Sequence, residues 1–241
     1  MTDEEREHLA TCLSKRILDR VPVPYLTHEA LFCDLPFYVD ERVLIPRSPV
    51  AELIKTQFEP WINCEKVTSI LDLCTGSGCI AIACCYAFPE AAVDAVDLSK
   101  EALVVAEFNR QKLGVEAQLE LIQSDCFDEI PTGKRYNVII SNPPYVGLEE
   151  LESLPKEYAH EPRIALWADR NGLEIVERIL NSAASYLHDE GILIVEVGAS
   201  DALLSETYPE VPFTWLDFAE GGEGVFLLTK AQLLQYFNSK N

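Results

Sequence analysis

Hydrophobic positions along the chain change their period near residue 68. Before it, Leu9, Cys12, Leu13 and Ile17 recur at helical spacing behind "TDEE", a capping box of Thr2 and Glu5. Residues 2–20 are therefore expected to form an amphipathic helix. The prolines of "VPVPYL" (21–26) exclude a helix there. Residues 31–45 alternate and predict a short hairpin or two extended segments. "PRSPVAELIKTQFEPWI" (46–62) predicts a helix with proline in its first turn.

Beyond residue 68, short apolar runs alternate with amphipathic stretches. Strands are expected at 68–73, 92–97, 117–123, 136–141, 191–197, 213–218 and 225–229. Helices are expected at 77–88, 99–113, 172–187 and 199–207. Repeated β–α units imply a parallel sheet with helices on both faces. "AEGGEG" (219–224) has no room for a helix, so the last two strands should pair antiparallel. The expected fold class is α/β: a doubly wound, seven-stranded, Rossmann-like sheet with a short N-terminal helix and hairpin. Residues 1–62 are set apart as an N-terminal segment, and 63–241 as the main domain.

Composition narrows the class. A chain of 241 residues can bury one large core. No apolar run approaches the ~20 residues of a membrane helix. "MTDEEREHLA" is too acidic and polar for a secretory signal, so a cytoplasmic location is expected. The eight cysteines include no C-x-x-C pair. Cys74, Cys79, Cys84 and Cys85 cluster in a strand–turn–helix stretch and suit small buried side chains in a reducing cytosol. Metal-ligand spacing is absent, and no metal is expected. The net charge of −21 argues against broad, non-specific nucleic-acid binding. It suits a basic protein partner, or solubility alone.

Chemistry enters at two strand ends. "ILDLCTGSGCIA" (70–81) is strand, glycine loop and helix. Gly76 and Gly78 allow close backbone approach, and the helix N-terminus offers free N–H groups. Asp97, nineteen residues after Gly78, ends the second strand, where a carboxylate can hold ribose hydroxyls. Together they point to an adenosine-containing cofactor, with a nicotinamide dinucleotide as a rival because "GSGCIA" fits G-x-G-x-x-A. The second strand end carries "SNPPYV" (141–146). Its prolines make a rigid backbone poor in donors. Such a loop suits a planar nitrogen nucleophile. The Asn142 oxygen can accept one N–H, the Pro143 carbonyl can accept the other, and Tyr145 can stack on the planar group and exclude water.

The stretches "FYVDERVLIPRSPVAELI", "LDLCTGSGCIAIA", "SNPPYV", "HEPRIAL", "NGL" and "GGEGVFLLT" resemble the protein-(glutamine-N(5)) methyltransferases. "PRSPVAEL" is most similar to the branch acting on large-subunit ribosomal protein L-three; release-factor members usually read R-P-E-T-E there. The resemblance implies transfer of a methyl group from S-adenosylmethionine to a glutamine side-chain amide, and a basic ribosomal protein as partner. Direct nucleic-acid or membrane binding is not expected. It also implies site residues. Asn142, Pro143, Pro144, Tyr145 and Arg47 would take the substrate, with Asn142, Pro143 and Tyr145 at the chemistry. The cofactor positions would be Asp72, Cys74, Thr75, Gly76, Ser77, Gly78, Asp97, Leu98, Asp125, Cys126, Phe127 and Asn142. Cys74 stands where the family carries a further glycine. Asp125 can meet the adenine amine, or only form a turn. Arg47 lines the entrance or pairs with a surface acid, and Glu196 supports the site or is a solvated strand end. Residues 1–62 look like a short remnant of a substrate-docking domain. An exocyclic-amine methyltransferase acting on DNA or RNA shares N-P-P-Y and is the main rival. A release-factor methyltransferase and a non-catalytic cofactor-binding module stand behind it.

Overall fold

The computed structural model describes residues 1–147, 151, 153–169 and 172–237. Helix α1 (Asp3–Ser14) opens on the expected capping box, with the Thr2 hydroxyl accepting from Glu5 N and the Glu5 carboxylate accepting from Thr2 N. One π-helical turn (Lys15–Asp19) carries it on. The apolar stripe forms but is not covered: Leu9, Leu13 and Ile17 are 46%, 50% and 68% exposed. The expectation for "VPVPYL" is corrected, because Val23–Thr27 forms a short helix, α2. Pro22 is its N-cap and Pro24 lies in its first turn, where no intrahelical N–H donor is required.

The hairpin is tight. Strands β1 (Ala30–Phe32) and β2 (Leu35–Phe37) flank Cys33 and Asp34, both at positive φ, the signature of a two-residue turn whose twist matches the strands. The helix expected over 46–62 shrinks to α3 (Val50–Lys55), because Gln57 and Phe58 turn left-handed just beyond it.

Then comes the sheet: β3 (Ser69–Leu73), α4 (Cys79–Ala87), β4 (Ala92–Asp97), α5 (Lys100–Lys112), β5 (Leu119–Gln123) and β6 (Tyr136–Ser141). A short helix α6 (Arg163–Leu166) precedes α7 (Glu174–Ser182), β7 (Leu187–Glu196), α8 (Asp201–Thr207), β8 (Thr214–Trp215), β9 (Val225–Thr229) and α9 (Lys230–Tyr236). α2 and α6 are too short to show a hydrophobic period, and α9 is not among the expected helices although it opens on a capping box of Thr229 and Gln232. The strand order is β5-β4-β3-β6-β7-β9-β8. The first five strands are parallel, and β9 runs antiparallel to both of its neighbours. The last strand thus inserts between β7 and β8, leaving the two-residue β8 at the edge.

The apolar runs divide residue by residue between the two faces, as strand geometry demands. Ile70, Val138, Ile140, Ile192 and Ile194 pack on one side with α3 and α4. Leu71, Ile139, Leu193, Val195 and Phe226 pack on the other with α7 and α9. A smaller cluster of Tyr25, Val39 and Val43 docks the N-terminal segment on Ala102 and Val105 of α5. This docking brings residues 42–48 to the carboxyl ends of the parallel strands. Among the described residues no helix is long and apolar enough to cross a membrane.

Candidate active site

The strand order reverses between β3 and β6, and the crevice outside their carboxyl ends is where such sheets bind ligands. Two cavities lie there, a larger one of about 460 Å³ and a smaller one of about 200 Å³. Leu44 and Ala165 line both, so the cavities share a wall.

The larger cavity is floored by the glycine loop. Cys74, Gly76, Asp97, Leu98, Asp125 and Cys126 line it. Cys74 and Gly76 both adopt positive φ. A Cβ on Gly76 would meet nothing within 4 Å, so the space above the loop is open to a ligand. Asp97 anchors the loop: its carboxylate accepts from Gly76 N and Ser99 N, each at 2.8 Å. Burial raises the Asp97 pKa, and these backbone bonds act against the rise. Burial also pushes the Cys126 thiol up to about 11 and raises Cys74 well above its ordinary value, so both are protonated wall groups. An adenosine-sized ligand suits this volume, its apolar wall and the ring of carboxylates.

Several expected cofactor residues lie behind the cavity. Asp72 is fully buried beneath the loop; its Oδ2 accepts from Thr75 Oγ1 at 2.5 Å and from Ala81 N at 3.1 Å. Gly78 is the N-cap of α4 at φ 80°, where a Cβ would press Ala106 at 3.3 Å. The Ser77 carbonyl accepts from Asn109. Asp72, Thr75, Ser77 and Gly78 thus shape the loop from outside the cavity lining. Phe127 does not line the cavity either; it is buried and stacks on Tyr186 with ring centroids 4.6 Å apart. Asp125 reaches the cavity rim and pairs with Arg178 at 2.8 Å.

The segment after β6 joins the cavities. Pro144 lines the larger one, whereas Asn142 and Tyr145 line the smaller. Pro143 is buried between them and lines neither. Arg47, Leu154 and Tyr158 complete much of the smaller wall. Arg47 makes a bidentate pair with Glu161, at 2.6 and 2.8 Å, and lies over the Tyr158 ring at 4.9 Å. Its partner is buried, not a surface acid. Glu196, the last residue of β7, is 6% exposed. Its carboxylate accepts from Ser48 Oγ at 2.5 Å and from Tyr145 OH at 3.1 Å, and the Asn142 side chain is near enough to help lower its pKa. Burial raises its pKa, and these bonds with nearby Arg47 oppose the rise. Burial likewise raises the Tyr145 phenol, aided by Glu196.

Sequence reasoning missed the second wall of the larger cavity. Arg42, Arg163, Trp167 and Asp169 line it from irregular segments whose place is set by distant contacts. "HEPRIAL" was the available signal, without a geometry attached. Asn171 of "NGL" lies outside the described residues.

A doubly wound sheet with a glycine loop, a carboxylate after the second strand and Asn-Pro-Pro-Tyr at the switch point defines an S-adenosylmethionine-dependent methyltransferase. The methyltransferase small domain family matches residues 56–156. The T. Thermophilus 16S rRNA N2 methyltransferase RsmC, solved with AdoMet and guanosine, superposes with a TM-score of 0.57 at 16% identity, covering 83% of this chain and 49% of that one. At that identity the likeness is one of fold. A ribosomal protein uL3 glutamine methyltransferase of Francisella tularensis subsp. tularensis is 47% identical, over 97% of this chain and 74% of the relative. One from Neisseria meningitidis serogroup A is 45% identical, over 97% and 77%. The chain belongs to the ribosomal protein uL3 glutamine methyltransferase family.

Proposed function

We propose that the protein methylates the side-chain amide nitrogen of a glutamine in ribosomal protein uL3, and that Asn142–Tyr145 position that amide. The observation that carries this is the shared wall: one rigid segment, Asn142 to Tyr145, contributes to a cofactor-sized cavity and to a smaller one beside it, where Asn142 and Arg47 are polar groups in a mostly apolar lining. In the larger cavity Cys74, Gly76, Asp97, Leu98, Asp125 and Cys126 would hold S-adenosylmethionine, which would supply an activated methyl group. The smaller cavity takes the glutamine side chain. The Asn142 oxygen accepts one amide N–H and the Pro143 carbonyl accepts the other. Tyr145 flanks the planar group, and its hydroxyl is fixed on Glu196. Arg47 stays locked on Glu161 and shapes the entrance rather than meeting the reacting atoms. The −21 net charge favours encounter with a basic ribosomal protein and disfavours a nucleic-acid substrate.

The test is methylation of purified uL3, with the modified residue located by mass spectrometry. Asn142→Ala should lower turnover about 100-fold, by analogy with removal of a positioned polar group at a reacting centre. Cofactor affinity should hold. Near-normal methylation by the folded variant would refute the role given to Asn142, and methylation of nucleic acid instead of uL3 would refute the substrate.

A further inference from the structure

We propose that Glu196 is a positioning residue that fixes which way round the Asn142 carboxamide sits, so that its oxygen rather than its nitrogen is left for the substrate amide. The inference rests on the reading of Asn142 given above and adds the group that enforces it.

A carboxamide presents an acceptor on one side and two donors on the other, and the two orientations fill the same space. Only one accepts an N–H from a glutamine side chain. Something must therefore select it. The strand register sets Glu196 beside Asn142, since β6 and β7 pair in parallel with Ser141 opposite Val195 and each residue is the next one along, and Asn142 is among the groups that lower the Glu196 pKa. An ionised carboxylate accepts hydrogen bonds and gives none. Asn142 can meet it only through its NH₂, which leaves the carboxamide oxygen for the smaller cavity that Asn142 lines.

Further donors converge on Glu196 and favour its accepting, ionised form. Tyr145 OH points a second donor at Oε1, and Ser48 Oγ a third at Oε2. Ser48 Oγ itself accepts from Val50 N at 3.2 Å, which directs its proton toward the carboxylate. Arg47 adds positive charge nearby. Burial favours the neutral acid and leaves the pKa raised, and these four groups limit that rise. At 6% exposure, water is a poor competitor for the same bonds. The same carboxylate fixes the Tyr145 hydroxyl, so both polar ends of the Asn-Pro-Pro-Tyr segment hang on one anion.

The experiment is a double-mutant cycle on uL3 methylation, using Glu196→Gln, Asn142→Ala and the combination. Glutamine at 196 keeps the size but can donate, so it no longer selects one carboxamide orientation. Glu196→Gln alone should lower kcat about tenfold or more, as expected when a pre-aimed acceptor is replaced in part by a donor. Cofactor Kd, read by calorimetry, should stay within about twofold and confirm the fold. In the Asn142→Ala background Glu196→Gln should cost much less, because the carboxamide it orients is gone and only the Tyr145 hydroxyl anchor is left to disturb. Equal fractional losses in both backgrounds, or a fall in cofactor affinity that accounts for the loss, would overturn the inference. So would wild-type kcat in Glu196→Gln beside a crippled Asn142→Ala. Wild-type kcat in Asn142→Ala would overturn the reading of the site and this inference with it.

Discussion

Asp72→Asn should change the pH dependence of stability in a way that can be worked from the structure. Asp72 is fully buried, its Oδ1 has no hydrogen-bond partner, and its Oδ2 takes the Thr75 and Ala81 donors. Burial pushes its carboxyl from 3.8 up to about 7, against the lowering effect of those two bonds. The folded protein therefore holds the proton more tightly than the unfolded chain. Stability from this group is fully present below pH 3.8 and declines as pH rises through about 7, above which both states are ionised. Asparagine keeps an oxygen for Thr75 and Ala81 but does not titrate. Whatever the offset between the two proteins, it should move in favour of Asp72→Asn between about pH 5 and pH 8. At about 1.4 kcal/mol per pH unit, the two units from 5 to 7 amount to roughly 3 kcal/mol. Urea unfolding of both proteins at each pH measures the shift. An offset that stays constant would show that Asp72 ionises like an exposed carboxylate and that burial does not govern it.

Two further outcomes follow from the site. Asp97→Ala should weaken S-adenosylmethionine binding by ~1–3 kcal/mol, because it removes a charged acceptor from the larger cavity and frees Gly76 N; unchanged affinity by calorimetry would take Asp97 out of the cofactor site. Arg47→Ala should cost about 3 kcal/mol in denaturant unfolding, since it strands the buried Glu161 carboxylate; adding Glu161→Gln should recover part of that, and no recovery would mean the loss lies elsewhere.

The sheet was legible because its information is local. Ile70 and Leu71, or Ile139 and Ile140, are adjacent in sequence and face opposite cores, so a short apolar run between turns suffices to mark a buried strand. The glycine loop, Asp97 and the Asn142–Tyr145 segment could be placed for the same reason: each follows directly from a strand end. The walls of the cavities could not. Arg47 meets Glu161 across 114 residues, and Ser48 meets Glu196 across 148. No window along the chain contains both partners, and the irregular segments that hold them have no period. Phe127 shows the converse error. A position just after the third strand of the sheet suggests the adenine wall, but an aromatic ring there finds more contact against Tyr186 in the core than at a cavity edge. The second site segment and the Glu196 hub are tertiary facts, visible only once the chain is folded.

The rung between Val146 and Trp167 bears on how such an enzyme changes partners. Val146 N donates to the Leu166 carbonyl at 2.9 Å, and Ala168 N donates back to Val146 at 3.2 Å. The described residues between them make an excursion from this clasp that is tied down again where Glu157 meets Arg16 and Glu161 meets Arg47. Lengthening such an excursion costs little, since closure entropy grows only with the logarithm of its length. Changes of length ahead of Leu154 should therefore leave the clasp, the Arg47–Glu161 pair and Asn142 where they are. Surface chemistry around the entrance can drift under selection for a different protein target while the methyl-transfer geometry on the other side of the clasp is inherited intact.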